Sequence, residues 1–371
     1  MKINLVAPCM LGVEGLVANE LRFMGAENVQ PENGRVNFQG DFNILTRTNL
    51  CSRYSERILI EMGKFTAKTF EQLFQNVKNM SWEQWIGKND RFPVKGRSLN
   101  SQLSSVPACQ KIIKKAIVER LKSKYHVQWL EETGDLFQIQ FLIMKDKVSI
   151  MIDTSGNGLH KRGYRAVSTD APIKETLASA MVDLSHVHNG DTVVDPFCGS
   201  GTILIESALK ALNIAPNKNR DFSFKHWRMI DENVWKQELD KALSQEKTNR
   251  DFHAFGYDID PHAIDIALSN CEKAGVGDII TFEKRDIRNF TCDFQQCKVI
   301  TNPPYGERLL DIEQAKTLYR IMGEKFLKKQ SYTYTVISPD EEFEMLFGRK
   351  ADKRRKLYNG MIKCQVYLYF K

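Results

Sequence analysis

The sequence predicts an α/β protein: a doubly wound, mostly parallel sheet in its second half, edged by an antiparallel hairpin and preceded by two smaller α+β units. Three observations predict it. From Ile173 onward, helical and strand patterns alternate, as in a parallel sheet clothed by helices. Four of the strands there run into loops rich in acids, glycine or proline, where such sheets bind ligands. Near the end, Asn359-Gly360 joins two strand patterns. Asn-Gly is a strong hairpin signal, and hairpin strands are antiparallel.

The first unit spans residues 1–65. Lys2 to Val6 suits a strand. Val13, Leu16, Val17 and Leu21 fall at helical spacing, and Gly25 is a helix stop. Arg35 to Phe38 alternates as a strand, Phe42 to Leu50 reads as a helix and Arg57 to Met62 as a strand. The second unit spans residues 66–155. It begins with a helix over Phe70–Val77 and an extended run over Phe92–Leu99 that carries Lys95 and Arg97. Pro107, suited to a first helical position, opens a helix with one apolar stripe: Ala108, Ile112, Ile113, Ala116, Ile117 and Leu121. Lys111, Lys114, Lys115, Lys122 and Lys124 lie on or beside its other face, a pattern common to solvated helices and nucleic-acid surfaces. Two alternating strands, Phe137–Ile143 and Val148–Ile152, flank a turn at Lys145-Asp146-Lys147.

The third unit spans residues 156–371, after a linker marked by Gly156 and Gly158. Its expected elements are a helix from Pro172 to Leu184, a strand Thr192–Val194, a helix Thr202–Leu212, a strand His253–Tyr257 and a helix Pro261–Lys273. Strands Ile279–Glu283 and Lys298–Thr301, a helix Ala315–Leu327, a strand Tyr332–Ser338 and the terminal hairpin follow. Residues 213–251, with Pro216, Trp227 and Trp235, break this rhythm and read as an insertion near the functional site.

Composition narrows the class. With 371 residues, 42% hydrophobic and 27% charged, the chain is neither disordered nor fibrous. A net charge of +7 leans toward a polyanionic partner without requiring one. The eight cysteines are scattered, with no Cys-x-x-Cys pair, which suggests reduced thiols in a cytoplasmic protein; no metal site is expected. No run of 18 apolar residues predicts a membrane span, and the start lacks a signal peptide's apolar centre.

The chemistry concentrates in four segments. In Val193-Val194-Asp195-Pro196-Phe197-Cys198-Gly199-Ser200-Gly201-Thr202, a buried strand ends at an acid and a glycine turn opens a helix. Gly199 and Gly201 permit close backbone approach to a ligand, and Phe197 and Thr202 flank that approach. No Gly-Lys-Ser/Thr follows, so the loop is not a P-loop, and Asp195 favours the cationic end of a ligand over a pyrophosphate. In Gly256-Tyr257-Asp258-Ile259-Asp260-Pro261, Asp258 is placed for ribose hydroxyls, whereas Asp260 suits a cap for the helix at Pro261. Asp286, after the next strand, suits an adenine amine or a plain turn. In Thr301-Asn302-Pro303-Pro304-Tyr305-Gly306, the prolines stiffen the chain. The Asn302 side-chain oxygen and the Pro303 carbonyl can then converge on an exocyclic amine, with Tyr305 as a stacking face. Singly, each segment is also an ordinary turn; their order along one sheet edge is what carries the argument.

DPFCGSGT, GYDID and NPPYGER together resemble the motifs of class I, S-adenosylmethionine-dependent amino-group methyltransferases, which have a Rossmann-like sheet. The whole chain is similar to the bacterial THUMP-domain RNA methyltransferases, especially the 23S rRNA guanine-N2 enzymes. That similarity extends through GVEGLVANELRFMGA, RFPVKGRSLNSQLSSVPACQKIIKKAIVERL, LHKRGYRAVSTDAPIKETLA and RRKLYNGMIKCQVYLY. The resemblance implies a ferredoxin-like domain and an RNA-binding THUMP domain ahead of the catalytic one. It implies that Asp195, Gly199 and Gly201 cradle the methionine part of S-adenosyl-L-methionine, that Asp258 binds its ribose and that Asp286 binds its adenine amine. It further implies that Asn302 and Pro303 hold the target amine, that Tyr305 stacks on the base and that Gly163 to Pro172 touch the cofactor's carboxylate end. Arg308 then meets RNA phosphate or forms an internal ion pair. RNA, most readily rRNA and alternatively tRNA, is the implied partner. Lys95, Arg97, Lys111, Lys114 and Lys115, and the basic run Arg349 to Lys356, are its candidate phosphate contacts.

Overall fold

The structure, a computed structural model, describes residues 2–165, 172–291, 294–305, 312–327 and 331–370. The chain opens β1 (Ile3–Pro8), α1 (Glu14–Phe23), β2 (Glu27–Glu32), β3 (Arg35–Gly40), α2 (Phe42–Cys51) and β4 (Leu59–Thr66). It continues α3 (Phe70–Lys78), β5 (Val94–Leu99), α4 (Val106–Tyr125), β6 (Ile139–Met144) and β7 (Lys147–Asp153). All seven strands make one sheet, in the order β2-β3-β1-β4-β7-β6-β5. The two units separated in the sequence at residue 65 therefore share a sheet: β4 pairs with β1 through Leu59 and Ile60, and with β7 along its whole length.

Strand alternation gives this sheet two unlike faces. Leu5, Val36, Phe38, Ile60, Phe141, Ile150 and Ile152 join one apolar core with Val17 and Leu21 of α1, Leu73 of α3 and Ile113 of α4. On the other face Val6, Leu59 and Met151, with Leu142 beside them, form a separate cluster with no helix residue in it.

Local chemistry explains the elements. Asp41 caps α2 through Ile44 N, and Thr69 with Gln72 forms a capping box at α3. Ser105 caps α4, so Pro107 is one residue inside the helix and not its first residue. Lys145 and Asp146, with φ of 52° and 63°, make the two-residue turn between β6 and β7. β2 has no counterpart in the sequence reading. Its residues, ENVQPE, are polar and almost all exposed, and Pro31 is tolerated because the strand lies at a sheet edge.

The second half begins with α5 (Glu175–Leu184), β8 (Thr192–Asp195), α6 (Thr202–Ala211), α7 (Glu232–Ser244), β9 (His253–Asp258), α8 (Pro261–Ala274) and β10 (Ile280–Lys284). It ends β11 (Cys297–Thr301), α9 (Ile312–Phe326), β12 (Tyr332–Ser338), α10 (Phe343–Phe347), β13 (Lys353–Asn359) and β14 (Ile362–Tyr369). These strands form a second sheet in the order β10-β9-β8-β11-β12-β14-β13. The first five are parallel and β14 runs antiparallel to both its neighbours, as the terminal hairpin predicts. Val193, Ile300, Ile337 and Val366 face α5, α6 and α8, while Val194, Val299, Val336 and Tyr367 face α9 and α10. Helices thus cover both faces, as a parallel sheet requires.

Residues 213–251 are not near the functional site, contrary to expectation; they clamp the two sheets together. α7 packs on α2, where Arg47 of the first sheet's layer meets Glu238 at 2.6 and 2.7 Å. Trp227 stacks on Phe137 with ring centroids 4.4 Å apart and donates to Leu136 O. The two tryptophans that broke the sequence rhythm are apolar material for this interface: Trp227 is 1% exposed, and Trp235 packs beside Phe222 and Phe224. Arg162 completes the joint. It is fully buried and faces Glu206 of α6 at 3.4 Å. It also donates to the carbonyls of Ser52, Arg53 and Leu159.

Candidate active site

The strand order makes the site. β8 lies between β9 and β11, so the chain winds outward in both directions from it, and the crevice at the carboxyl end of such a switch point is where open α/β sheets bind ligands. A cavity of about 1150 Å³ opens there. Loops after β8, β9, β10 and β11 all contribute to its wall, as does the tip of the terminal hairpin.

Asp195 ends β8 with 1% of its surface exposed. Its Oδ1 accepts from Thr301 Oγ1 at 2.7 Å and from Phe197 N at 3.1 Å. Burial pushes its carboxyl up to about 7, more than these donors pull it down. The first of them comes from the last residue of β11, so Asp195 and Asn302, the next residue along, stand on adjacent strand ends.

The loop beyond Asp195 is tied from several sides. Gly199, with φ of 50°, donates its N–H to Asp258 Oδ2 at 2.9 Å, and Asn270 of α8 donates to Ser200 O. Thr202 Oγ1 accepts from Arg165 Nη2 at 2.6 Å. Phe197, Gly199 and Thr202 line the cavity; Gly201 does not. Gly201 caps α6 with φ of 80°, and a Cβ there would sit 3.1 Å from Phe282 and 3.2 Å from Ala267. The second glycine therefore serves the backbone turn and helix packing, where the sequence suggested ligand approach. Cys198 is buried and its thiol is held well above the ordinary range by burial, consistent with packing and not with nucleophilic chemistry.

Asp258 lies at the end of β9. Its Oδ1 accepts from Asp260 N at 3.0 Å, while Asp260 caps α8 through His262 N, as the sequence allowed. Asp286 lines the cavity, and its carboxylate is gripped by Arg288 at 2.5–3.1 Å, which lowers its pKa. An adenine amine would share that carboxylate with Arg288. Asn302, Pro303, Pro304 and Tyr305 also line the wall. The Tyr305 hydroxyl donates to Asn302 Oδ1 and accepts from Asn359 Nδ2 at 3.3 Å.

Several cavity residues escaped the sequence reading. Ile259, 60% exposed, and the largely buried Ile287 give the wall apolar surface; an isoleucine between the two acids Asp258 and Asp260 was the available sequence signal. Lys174, also in the wall, is held by Glu56 of the first sheet's layer at 3.5 Å. Burial raises the Glu56 carboxyl, but His160, Lys174 and Thr176 outweigh it and bring the group down to about 2. Of the segment from Gly163 to Pro172, residues 166–171 lie outside the described residues, and so does Arg308; Pro172 lines the cavity.

The basic candidates do not form one patch. Lys95 and Arg97 pair with Gln140 and Leu142 on the helix-free face of the first sheet. Their neighbour Gly96 points the other way, where a Cβ would strike the core residue Phe141. Lys111 and Lys115 are exposed on α4, on the helix side. Lys114 is committed internally: its ammonium sits 3.4 Å from the Phe92 ring centroid and 2.6 Å from Glu132. Lys353, Arg355 and Lys356 are exposed on β13, whereas Arg354 pairs with Glu344 and Arg349 with Asp352.

Against families of known proteins, residues 162–367 match the RMKL-like methyltransferase domain, residues 4–59 the RlmL ferredoxin-like domain and residues 67–153 the THUMP domain. The chain belongs to the RMKL-like methyltransferase family. The "Putative RNA methyltransferase YpsC" of Bacillus subtilis (strain 168) is 43% identical over 100% of this chain and 96% of its own length. The ribosomal RNA large subunit methyltransferase K/L of Psychromonas ingrahamii is 32% identical over 98% of this chain, which spans only 49% of that relative. A crystal structure titled "SMU.472, a putative methyltransferase complexed with SAH" superposes with a TM-score of 0.95 at 40% identity, covering 100% of this chain and 98% of that one. The fold is that of S-adenosylmethionine-dependent methyltransferases, and no helix among the described residues is long and apolar enough to cross a membrane.

The site fits such a donor. A desolvated carboxylate held near 7 wants a cationic partner, the Gly199 backbone and Asp258 lie beside it, and Ile259 and Ile287 offer an apolar surface for a base.

Proposed function

We propose that this chain methylates the exocyclic N2 amine of a guanine in 23S rRNA. The observation that carries the methyl-transfer reading is the Thr301–Asp195 hydrogen bond, which ties the end of the donor-binding strand to the strand that presents Asn302; the choice of guanine N2 in 23S rRNA rests on the family resemblance. Bound S-adenosylmethionine supplies an electrophilic sulfonium methyl. The chain's own work is alignment. Asp195 binds the donor's ammonium, Asp258 its ribose and Asp286 its adenine. Asn302 Oδ1 and the Pro303 carbonyl accept the two N–H groups of the target amine, aim its lone pair and steady the positive charge until a proton leaves. The Tyr305 ring stacks on the extruded base.

A base reaches this cavity only after leaving its stack, at a cost of about a few kcal/mol, which favours loops, bulges and ends as targets. Residues 1–65 and 66–155 then serve as ferredoxin-like and THUMP modules that grip RNA around the target. Lys95 and Arg97 on the helix-free sheet face, Lys111 and Lys115 on α4, and the basic run on β13 provide salt-dependent phosphate contacts.

The test is transfer of tritiated methyl to total rRNA and tRNA from cells lacking this protein, followed by nucleoside analysis. N2-methylguanosine in 23S rRNA is the expected product. Label confined to tRNA, or recovered as N6-methyladenosine, overturns the target assignment.

A further inference from the structure

The terminal hairpin holds a residue that neither turn chemistry nor packing accounts for. Asn-Gly normally marks the two central positions of a tight turn. Here the two-residue loop is Gly360-Met361, because Asn359 is still paired with Ile362 in the ladder. Gly360, with φ of 65°, takes the left-handed backbone the loop needs. Asn359 is therefore free of the turn, and its side chain goes elsewhere. It lines the active-site cavity and donates from Nδ2 to the Tyr305 hydroxyl at 3.3 Å. Tyr305 in turn donates to Asn302 Oδ1.

This chain of three has a direction. A phenol carries one proton. With Asn359 donating into the Tyr305 oxygen, that proton is left for an acceptor; Asn302 Oδ1 takes it in preference to the Cys364 sulfur, a weak acceptor that also touches the phenol, and this selects the carboxamide orientation with Oδ1 toward Tyr305. The two ends of a carboxamide are chemically opposite: Oδ1 accepts, with two lone pairs, and Nδ2 only donates. A target amine brings two donors and needs Oδ1.

We propose that Asn359 is a positioning residue for methyl transfer, fixing through Tyr305 the face that Asn302 presents to the target amine. This rests on the reading that Asn302 holds the amine. It is also a role for the hairpin, which brings Asn359 to the cavity from β13 at the edge of the sheet.

The test compares Asn359→Ala with Asn359→Asp. Aspartate matches asparagine in shape but, ionised, only accepts. It takes the Tyr305 proton, leaves the Tyr305 oxygen to accept from Asn302 Nδ2 and turns the carboxamide over. Alanine merely leaves the proton undirected. With an unmodified 23S rRNA transcript and tritiated donor, kcat is expected to fall about tenfold in Asn359→Ala and about a hundredfold in Asn359→Asp, consistent with the loss seen when reacting groups are misplaced. Donor affinity by calorimetry and KM for RNA stay unchanged. Asn359→Asp recovers relative to wild type as pH falls and its carboxyl regains a proton to donate. It adds less than about twofold to Tyr305→Phe. In protein labelled with ¹⁵N at asparagine, the Asn302 side-chain amide resonances shift in both Tyr305→Phe and Asn359→Asp.

If Asn302→Ala abolishes transfer while Asn359→Asp is at least as active as Asn359→Ala, the positioning role is wrong and the amine-holding role stands. If Asn302→Ala transfers like wild type, the amine-holding role itself fails. Unmoved Asn302 resonances in Asn359→Asp also overturn the proposal, whatever the kinetics.

Discussion

The two seven-stranded sheets solve different problems with the same number of strands. The first is mixed and unevenly clothed: among the described residues its helices share one face, and on its other face Val6, Leu59 and Met151 are buried amid polar side chains such as Asn4, Asn37 and Gln39. The second is mostly parallel and covered on both faces, so its exposed feature is an edge. A face with no helix in its apolar cluster offers area for a long polyanion. A parallel edge at a switch point offers depth for a small donor and a single base. In this molecule the division of labour follows from how each sheet is clothed.

The largest expected effect tests whether the sheets are one body. Arg162→Met leaves the Glu206 carboxylate buried without its ion-pair partner and should destabilise the protein by about 3–5 kcal/mol. Thermal unfolding should drop as a single transition; loss confined to one of two separate transitions would mean the sheets unfold independently.

Next is the division of roles along the edge. Asn302→Ala should lower kcat by about 10²–10³, as when one preorganised group is removed elsewhere, while calorimetry shows the donor still bound. Comparable loss of donor binding would merge two functions the strand ends are taken to separate.

Third is the charge of the edge. Asp195 titrates near 7 because of burial, and a cationic ligand selects its ionised form. Below about pH 7 a proton competes, so donor affinity should fall by up to about tenfold per pH unit between 7 and 5. Affinity that is flat over that range in the wild type contradicts the assignment of Asp195 to the ammonium.

The smallest effects belong to the helix-free face. Lys95→Ala with Arg97→Ala should weaken RNA binding about tenfold at low salt and make the log–log salt slope shallower by about two. The same measurement on Lys114→Ala should show little change, because that ammonium is spent on Phe92 and Glu132. If Lys114 matters as much as Lys95 and Arg97, the helix side is the better candidate for the RNA surface.

Much of the second sheet was legible from the sequence because its signals are local. Strands of four to seven residues with apolar cores, Pro261 at a helix start capped by Asp260, and glycine turns after acids all act over a few residues. β2 was invisible for the opposite reason: a polar edge strand has no periodicity to read. The insertion was mislocated because a run with two tryptophans signals burial without saying against what. The lysines and Arg97 were grouped as neighbours in sequence, while alternation in β5 and the phase of α4 put them on different sides of a sheet. Asn359 was read as a turn residue, since only the ladder register shows that the loop begins one residue later.

What the sequence determined by itself is the set of chemical groups and their order: an acid with glycines, an acid before a capped helix, a third acid, then asparagine with prolines and a tyrosine. Backbone stiffness and side-chain chemistry dictate these from residue to residue. The tertiary structure alone decided which of these groups meet. That Thr301 reaches Asp195, that Glu56 reaches the cavity wall through Lys174, and that the last hairpin returns to touch Tyr305 depend on strand order and register. Those are settled by burying two sheets' worth of apolar surface at once, and no short window of sequence contains that sum.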